Sequence, residues 1–311
     1  MKYRMFKIIY SFFIIPLFMF SAFGAEVLDL DVALQNTYRA CVGIDEELAD
    51  LKKMAGINTA VTAVGTGLGA GATVVGIVKA SKDKKIANLE SHLPNVKENY
   101  GKTNYDADKA KAQCKKAAAT KTGTTETEFE KLTKQSKSLG HWRTGLMAGA
   151  TATNIAGAAI SGASLKKDDI QGRIDNCLDN VSNLRTSIAK AKMEGIDVSE
   201  AQSIANACSG YKGQDVSKIQ KQAKGALVSS AIGATTGLTG TLTSAVANTD
   251  KTRDNNTDAG KQKEKNLNTA SNVLAGATTV ASGTATVFNA LQISTIKRVA
   301  QTAAECEGAL K

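Results

Sequence analysis

The sequence predicts an all-α protein made of two duplicated, long antiparallel helical hairpins, with four main helices and short connector helices. Three observations indicate this fold: four long stretches without a charged residue, apolar residues spaced by three and four, and cysteine-bearing segments that flank each pair of stretches. A chain of 311 residues with 42% apolar content can bury a sizeable core, so neither disorder nor a small disulfide-rich fold is required.

Residues 1–24 have the composition of a secretory signal peptide. Three cations precede an apolar run over 8–20, and small residues follow at Ala22 and Gly24. The apolar run is short for a helix that spans a bilayer. We therefore expect cleavage and a mature chain that begins at Ala25, rather than an uncleaved membrane anchor.

Four uncharged stretches dominate the rest of the chain, and each is rich in Gly, Ala, Ser and Thr. They are residues 54–78, 144–165, 225–249 and 266–296. Each contains the tripeptide Gly-Ala-Thr. In the first stretch apolar residues recur at spacings of three and four, at Ile57, Val61, Val64 and Leu68. This period predicts one long helix for each stretch.

Small residues recur every four positions along the stretches and predict close helix packing. Such a seam lets two helix backbones approach closely, which matters most in lipid, and a glycine in a water-exposed helix costs about 1 kcal/mol relative to alanine. The spacing resembles the glycine-zipper segments of bacterial envelope proteins, over the uncharged stretches only. We expect these glycines at helix–helix contacts: Gly65, Gly69, Gly145, Gly149, Gly157, Gly233, Gly237 and Gly276.

The order of segments repeats and predicts two structural repeats after the signal peptide. Each runs from a cysteine-bearing amphipathic segment through an uncharged stretch, a polar connector and a second uncharged stretch to another cysteine-bearing segment. We place the first repeat at 25–195, with a long polar connector over 79–143, and the second at 196–311. Pro94 and the polar residues 255–260 interrupt the two connectors.

Five cysteines occur without CxxC or metal-ligand spacing, so neither a zinc site nor a redox site is expected. In an antiparallel hairpin, residues equally far from the turn lie level with one another. Cys41 and Cys177 meet this condition in the first hairpin, as do Cys208 and Cys306 in the second. We expect these two disulfides in an exported chain and leave Cys114 unpaired. The alternative is a set of buried thiols in a reducing compartment.

The charge distribution bears on whether the stretches cross a membrane. Residues 79–143 hold fifteen Lys or Arg against eight Asp or Glu, whereas residues 25–53 hold three against seven. In a spanning protein this contrast puts the connector in the cytoplasm and the four paired cysteines on the exported side. Against spanning, 144–165 has only four Ile or Leu and includes Asn154, and no aromatic belt flanks the stretches.

Few residues are suited to catalysis or cofactor binding. His92 and His141 are the two histidines, and neither has a metal or nucleophile motif nearby. The glycines over 65–71 imitate a dinucleotide fingerprint but lie within helical periodicity rather than after a strand. We expect no enzyme activity, cofactor, metal or small-molecule substrate. The lysines of 79–143 are mixed with acids and have few aromatic neighbours, so anionic lipid is the expected contact rather than nucleic acid.

Together these features favour an exported cell-envelope membrane protein that assembles through its small-residue helix faces, as an oligomer or a pore. The expected partners are the lipid bilayer and further copies of the chain. The alternative is a soluble periplasmic or secreted helical bundle with a structural or interaction role, whose Ala and Gly seams allow close packing.

Overall fold

The computed structural model describes residues 23–91, 128–167, 170–249, 252 and 258–311, and it confirms the all-α fold. No strand occurs in this part of the chain. The α-helices, in chain order, are α1 (Phe23–Cys41), α2 (Ile44–Ser91), α3 (Glu128–Lys167), α4 (Ile170–Met193), α5 (Ser199–Cys208), α6 (Ser217–Ala247) and α7 (Asp258–Leu310). A 3-10 segment, Ser209–Gly213, follows α5. The four uncharged stretches lie within or at the ends of α2, α3, α6 and α7.

Two glycines in the left-handed conformation stand at helix ends. Gly43 (φ +82°) separates α1 from α2, and Gly195 (φ +78°) follows α4. After α4, the N–H of Gly195 donates to the carbonyl of Lys192 at 3.2 Å, and the N–H of Ile196 donates to the carbonyl of Ala191 at 3.1 Å. These bonds satisfy carbonyls that the helix leaves unpaired, and glycine adopts the required φ without a Cβ clash.

The chain divides into two compact units. Among the described residues, unit 1 comprises 23–45, 172–214 and 301–311, and unit 2 comprises those that lie within 46–171 and 215–300. These units do not coincide with the two sequence repeats, because each unit takes segments from both repeats. Most of the predicted signal peptide (1–22) and most of the predicted first connector (92–127), including Cys114, lie outside the described residues.

Unit 1 has a conventional apolar core. Its fully or nearly fully buried side chains include Leu30, Ile44, Ile174, Val181, Leu184, Ile188, Ile204 and Tyr211. The buried positions of α4 recur at spacings of three and four, as expected for a helix that buries one face. The four paired cysteines are among the most buried residues of this unit, each at most 2% exposed.

Unit 2 is a four-helix bundle in which α2, α3, α6 and α7 contact one another in cyclic order. Two contacts illustrate each neighbouring pair. Helices α2 and α3 meet at Asn58–Ser161 and Asp83–Ser136, and α3 and α6 meet at Gly140–Asn248 and Gly157–Ser230. Helices α6 and α7 meet at Thr236–Thr278 and Gly240–Ser271, and α2 and α7 meet at Lys79–Glu264 and Asn58–Asn289. In each pair, later residues of one helix meet earlier residues of the other. All four neighbouring pairs of helices are therefore antiparallel, as the two predicted hairpins require.

Candidate functional site

Both predicted disulfides are present, and both belong to unit 1. Cys41 is bonded to Cys177 with a Cα–Cα distance of 4.9 Å, and Cys208 to Cys306 with a Cα–Cα distance of 4.4 Å. The sulfur of Cys306 lies within 4.8 Å of the sulfurs of Cys41 and Cys177, so the two bridges adjoin. The sulfurs are engaged in disulfides, and this centre clamps the helices that carry them.

Tyr211 lies in the same unit and has an unusual environment. Its side chain is 1% exposed, and no described residue forms a hydrogen bond with its hydroxyl. Burial raises the pKa of Tyr211, and the nearby carboxylates of Asp45 and Glu307 raise it further. The phenol is therefore held in its neutral form, which serves the apolar core rather than proton transfer.

In unit 2 the four uncharged stretches lie level with one another. A Cβ at Gly65, near the middle of the first stretch, would lie 2.5 Å from Thr153 Oγ1 and 3.5 Å from Ser282 Oγ. A Cβ at Gly233, in the third stretch, would lie 2.6 Å from Asn154 Oδ1. Because these positions are central in their stretches, the stretches together form one continuous section of the bundle, which we call the charge-free belt (54–78, 144–165, 225–249 and 266–296).

Six of the eight glycines predicted at helix contacts lie against another helix. A Cβ would come within 3.0 Å of a neighbouring side chain at Gly65, Gly69, Gly149, Gly157, Gly233 and Gly237. At Gly145 and Gly276 a Cβ would meet no atom within 4 Å, so these two glycines face open space among the described residues. A period of four places small residues on one face only approximately, because a helix turns once every 3.6 residues.

The interior of the belt is polar. Asn58 donates from Nδ2 to Ser161 Oγ at 2.7 Å and to Asn289 Oδ1 at 3.1 Å. Asn154 donates from Nδ2 to Ser282 Oγ at 2.8 Å. All five of these residues are at most 2% exposed, and the buried apolar residues of the belt are mostly alanines. Hydrogen bonds between helices therefore replace large apolar contacts here.

Two buried cations close one end of the belt, and sequence reasoning did not single them out as buried. Arg143 is 0% exposed and donates to Ser244 Oγ, Asn272 Oδ1 and Asn268 Oδ1 at 3.1, 2.9 and 3.0 Å.

Lys79 is the second cation and is 1% exposed. Its Nζ lies 2.7 Å from Asp83 Oδ2 and 3.7 Å from Glu264 Oε1, and Ser136 donates to the other oxygen of Asp83. Each buried charge is thus surrounded by acceptors, as burial of a cation requires. In the sequence, the one feature that sets Lys79 and Arg143 apart is that each adjoins an uncharged stretch.

The outer surface of the belt is apolar. Nineteen large apolar side chains are exposed in the described residues, and fifteen of them belong to the four stretches. In α7 the stripe that indicated a helix faces outward at Val273, Val280, Val287 and Leu291, with exposures of 67, 70, 58 and 47%. The belt therefore has polar side chains inside and large aliphatic side chains outside.

By length and composition, one helical segment of the described residues is long and apolar enough to cross a membrane. It covers Asp29–Asn88, and 28% of its most apolar window is buried. No family model matches the chain, and no curated protein or solved structure is detectably similar to it.

Proposed function

We propose that the chain is a non-enzymatic, exported cell-envelope membrane protein whose four uncharged stretches cross the bilayer side by side. The observation that carries this proposal is the inverted arrangement of the belt, with Asn, Ser, Thr and Gly inside and Ile, Leu and Val outside. A bundle in water gains stability from the opposite arrangement. In lipid, polar groups must be satisfied within the protein, and each central Leu, Ile or Val favours insertion by about 0.3 to 0.6 kcal/mol.

The height of the belt supports the proposal. The layer that contains Asn58 and Ser161 is separated from the layer that contains Gly76 and Arg143 by eighteen residues on both α2 and α3. At 1.5 Å per residue this separation is about 27 Å. The hydrocarbon core of a bilayer is about 30 Å thick, so the uncharged section matches it.

Exposed threonines on the belt also suit a lipid-facing surface. On α6, Thr235, Thr239 and Thr243 donate their hydroxyls to the carbonyls four residues earlier, at 3.0 Å or less. Each hydroxyl is thus satisfied by its own helix and does not need water.

Cations flank the belt at both ends. Seven of the eight residues that adjoin the stretches are Lys or Arg, namely Lys53, Lys79, Arg143, Lys166, Lys224, Lys265 and Lys297, and the eighth is Asp250. Lys79 and Arg143 are buried inside the bundle, whereas Lys53, Lys224, Lys265 and Lys297 are exposed. Exposed lysines at helix ends can extend toward lipid phosphates, and those near an anionic surface each contribute about 1 kcal/mol to attraction.

The disulfides support one orientation of the proposed membrane bundle. Disulfides persist in oxidising compartments, so the four paired cysteines belong on the exported side. The strongly cationic connector 79–143 then lies in the cytoplasm. Because six of the eight predicted glycines pack within one chain, assembly into an oligomer or a pore would use the outward aliphatic faces of the belt.

A soluble periplasmic or secreted bundle is the second candidate, and it is favoured by the finding that, in the part of the chain that the structure describes, one helical segment alone is long and apolar enough to span a membrane. Carbonate extraction of membranes from cells that express the full chain separates the two candidates. We expect the protein to remain in the pellet with an integral control protein. Quantitative release into the supernatant contradicts the membrane proposal and supports the soluble bundle.

A further inference from the structure

We infer that unit 2 holds one anionic phospholipid in a groove on the outer face of α3, beside α2. A cavity of about 710 Å³ opens there at the end of the belt, within the size range of sites for small organic ligands. Nearly all of its lining comes from α3, at positions three and four apart from Lys134 to Leu146, and Leu68 of α2 completes the wall. The inference rests on the proposed membrane location.

The groove has a polar end and an apolar end. Lys134, Lys137 and Ser138 line one end, and they precede the uncharged stretch of α3. The other end is lined by Gly145, Leu146 and Leu68. The distance along α3 from Lys134 to Leu146 is about 18 Å at 1.5 Å per residue. A ligand that fits has an anionic head and an apolar tail, which is the chemistry of an acidic phospholipid.

Gly145 gives the apolar end its depth. A Cβ at this position would meet no atom within 4 Å, so the glycine leaves open space on the outer face of α3. The walls on either side are held by reciprocal packing, because Leu146 lies 3.5 Å from the Cβ position of Gly71 and Leu68 lies 3.0 Å from that of Gly149. The space at Gly145 is therefore a fixed feature of the bundle.

Trp142 and His141 line the groove between its two ends. Trp142 is the only tryptophan of the chain, and its large apolar side chain is 67% exposed. An indole prefers the level of lipid headgroups, where its ring meets acyl chains and its N–H meets water or phosphate. The two ring side chains thus stand where the head of a phospholipid joins its tails, and a soluble anion such as phosphate would leave the apolar end unused.

Native mass spectrometry of the full chain in non-ionic detergent tests the inference. The probes are phosphatidylglycerol and phosphatidylcholine with identical acyl chains. We expect the wild-type chain to retain phosphatidylglycerol about tenfold more strongly, since two lysines line the polar end of the groove. The double variant Lys134→Gln and Lys137→Gln should reduce this preference to near one. Gly145→Leu should weaken retention of both lipids, because its side chain fills the apolar end.

Two matched controls distinguish the groove from general charge or helix effects. Lys84→Gln with Lys85→Gln removes the same charge from exposed positions of α2, and Gly276→Leu adds the same side chain at another open helical position. Both should bind like the wild-type chain. Equal retention of the two lipids by the wild-type chain, or equal losses in the control variants, overturns the groove while a carbonate-resistant protein still supports the membrane location.

Discussion

Gly67 and Gly69 are two residues apart on α2 but meet opposite surroundings. A Cβ at Gly69 would lie 2.7 Å from Thr279 Oγ1 and 3.3 Å from the backbone nitrogen and Cα of Thr279, whereas a Cβ at Gly67 would meet nothing within 4 Å. The backbone of α7 cannot move away from Gly69 without disturbing its own packing. The need for glycine is therefore a property of the single position and not of the glycine-rich stretch.

Substitution Gly69→Leu should accordingly destabilise unit 2, by about 2 kcal/mol or more, because it forces α2 and α7 apart. Gly67→Leu should leave stability unchanged or raise it by up to about 1 kcal/mol, because leucine is the better helix former. Thermal unfolding of both variants, followed by circular dichroism in the same detergent, measures the difference. Equal melting temperatures for the two variants contradict close packing at Gly69.

The burial of Tyr211 predicts that the folded chain loses stability at alkaline pH. Its pKa is raised in the folded chain, so the unfolded chain ionises first, near the ordinary value of 10.0. Stability is thus fully present below pH 10 and falls as pH rises above it. The substitution Tyr211→Phe should remove the loss of stability that ionisation of Tyr211 causes. At neutral pH it should leave stability unchanged or raise it by up to about 1 kcal/mol, since the hydroxyl has no partner among the described residues.

The measurement for Tyr211 compares chemical unfolding of the wild-type chain and Tyr211→Phe at about pH 8 and about pH 11. Lysines also titrate in this range, but they do so in both proteins, so the difference between the two isolates the phenol. A difference in stability that is the same at both pH values contradicts the buried neutral phenol.

At the scale of helices, the disulfides join elements that are remote in sequence, with separations of 136 and 98 residues. The double variant Cys208→Ala and Cys306→Ala should lower the stability of unit 1 by about 2 to 5 kcal/mol. Both cysteines are replaced, because a single free thiol beside the Cys41–Cys177 bridge could exchange with it.

Hydrogen exchange of peptides from 199–208 and 301–310 measures this effect, and Cys114→Ala is the control that should leave exchange unchanged. Peptide mapping without reduction should show the two pairs in the wild-type chain. Unaltered protection in the double variant, or a link between Cys41 and Cys306, contradicts the structural role.

The pairing of the cysteines could be predicted because antiparallel helices rise equally, so position along the chain determines which residues lie level. Helical period likewise predicted the four long helices. Neither signal predicts which face of a helix is buried. The apolar stripe through Val273 and Val280 has the same period whether it packs in a core or is exposed, as it is here. Burial of Lys79 and Arg143 depends on acceptors from other helices, such as Glu264. The local sequence around the two cations does not predict which residues of the other helices lie near them.

At the scale of the whole molecule, the two units are stabilised by different means. Unit 1 combines buried aliphatic side chains with two disulfides, as expected for a small domain in water and an oxidising compartment. Unit 2 combines close glycine contacts with hydrogen bonds between helices, which remain effective where burial of apolar surface no longer drives association. Under the proposed function, these two compositions suit two environments, water for unit 1 and lipid for unit 2.

Trp142 provides a native probe of this difference, because the chain has one tryptophan and it precedes the uncharged stretch of α3 by two residues. In vesicles, its fluorescence should be quenched more by lipids brominated near the headgroup than by lipids brominated near the chain end, since the proposed membrane location places the indole at the interface. The variant Trp142→Phe with Val280→Trp moves the probe to an exposed site near the middle of the belt, where Val280 is 70% exposed. That variant should show the reverse order of quenching, because its indole meets the ends of the acyl chains. If neither protein is quenched by either lipid, the belt does not enter the bilayer, and the exposed aliphatic surface must instead be covered by protein.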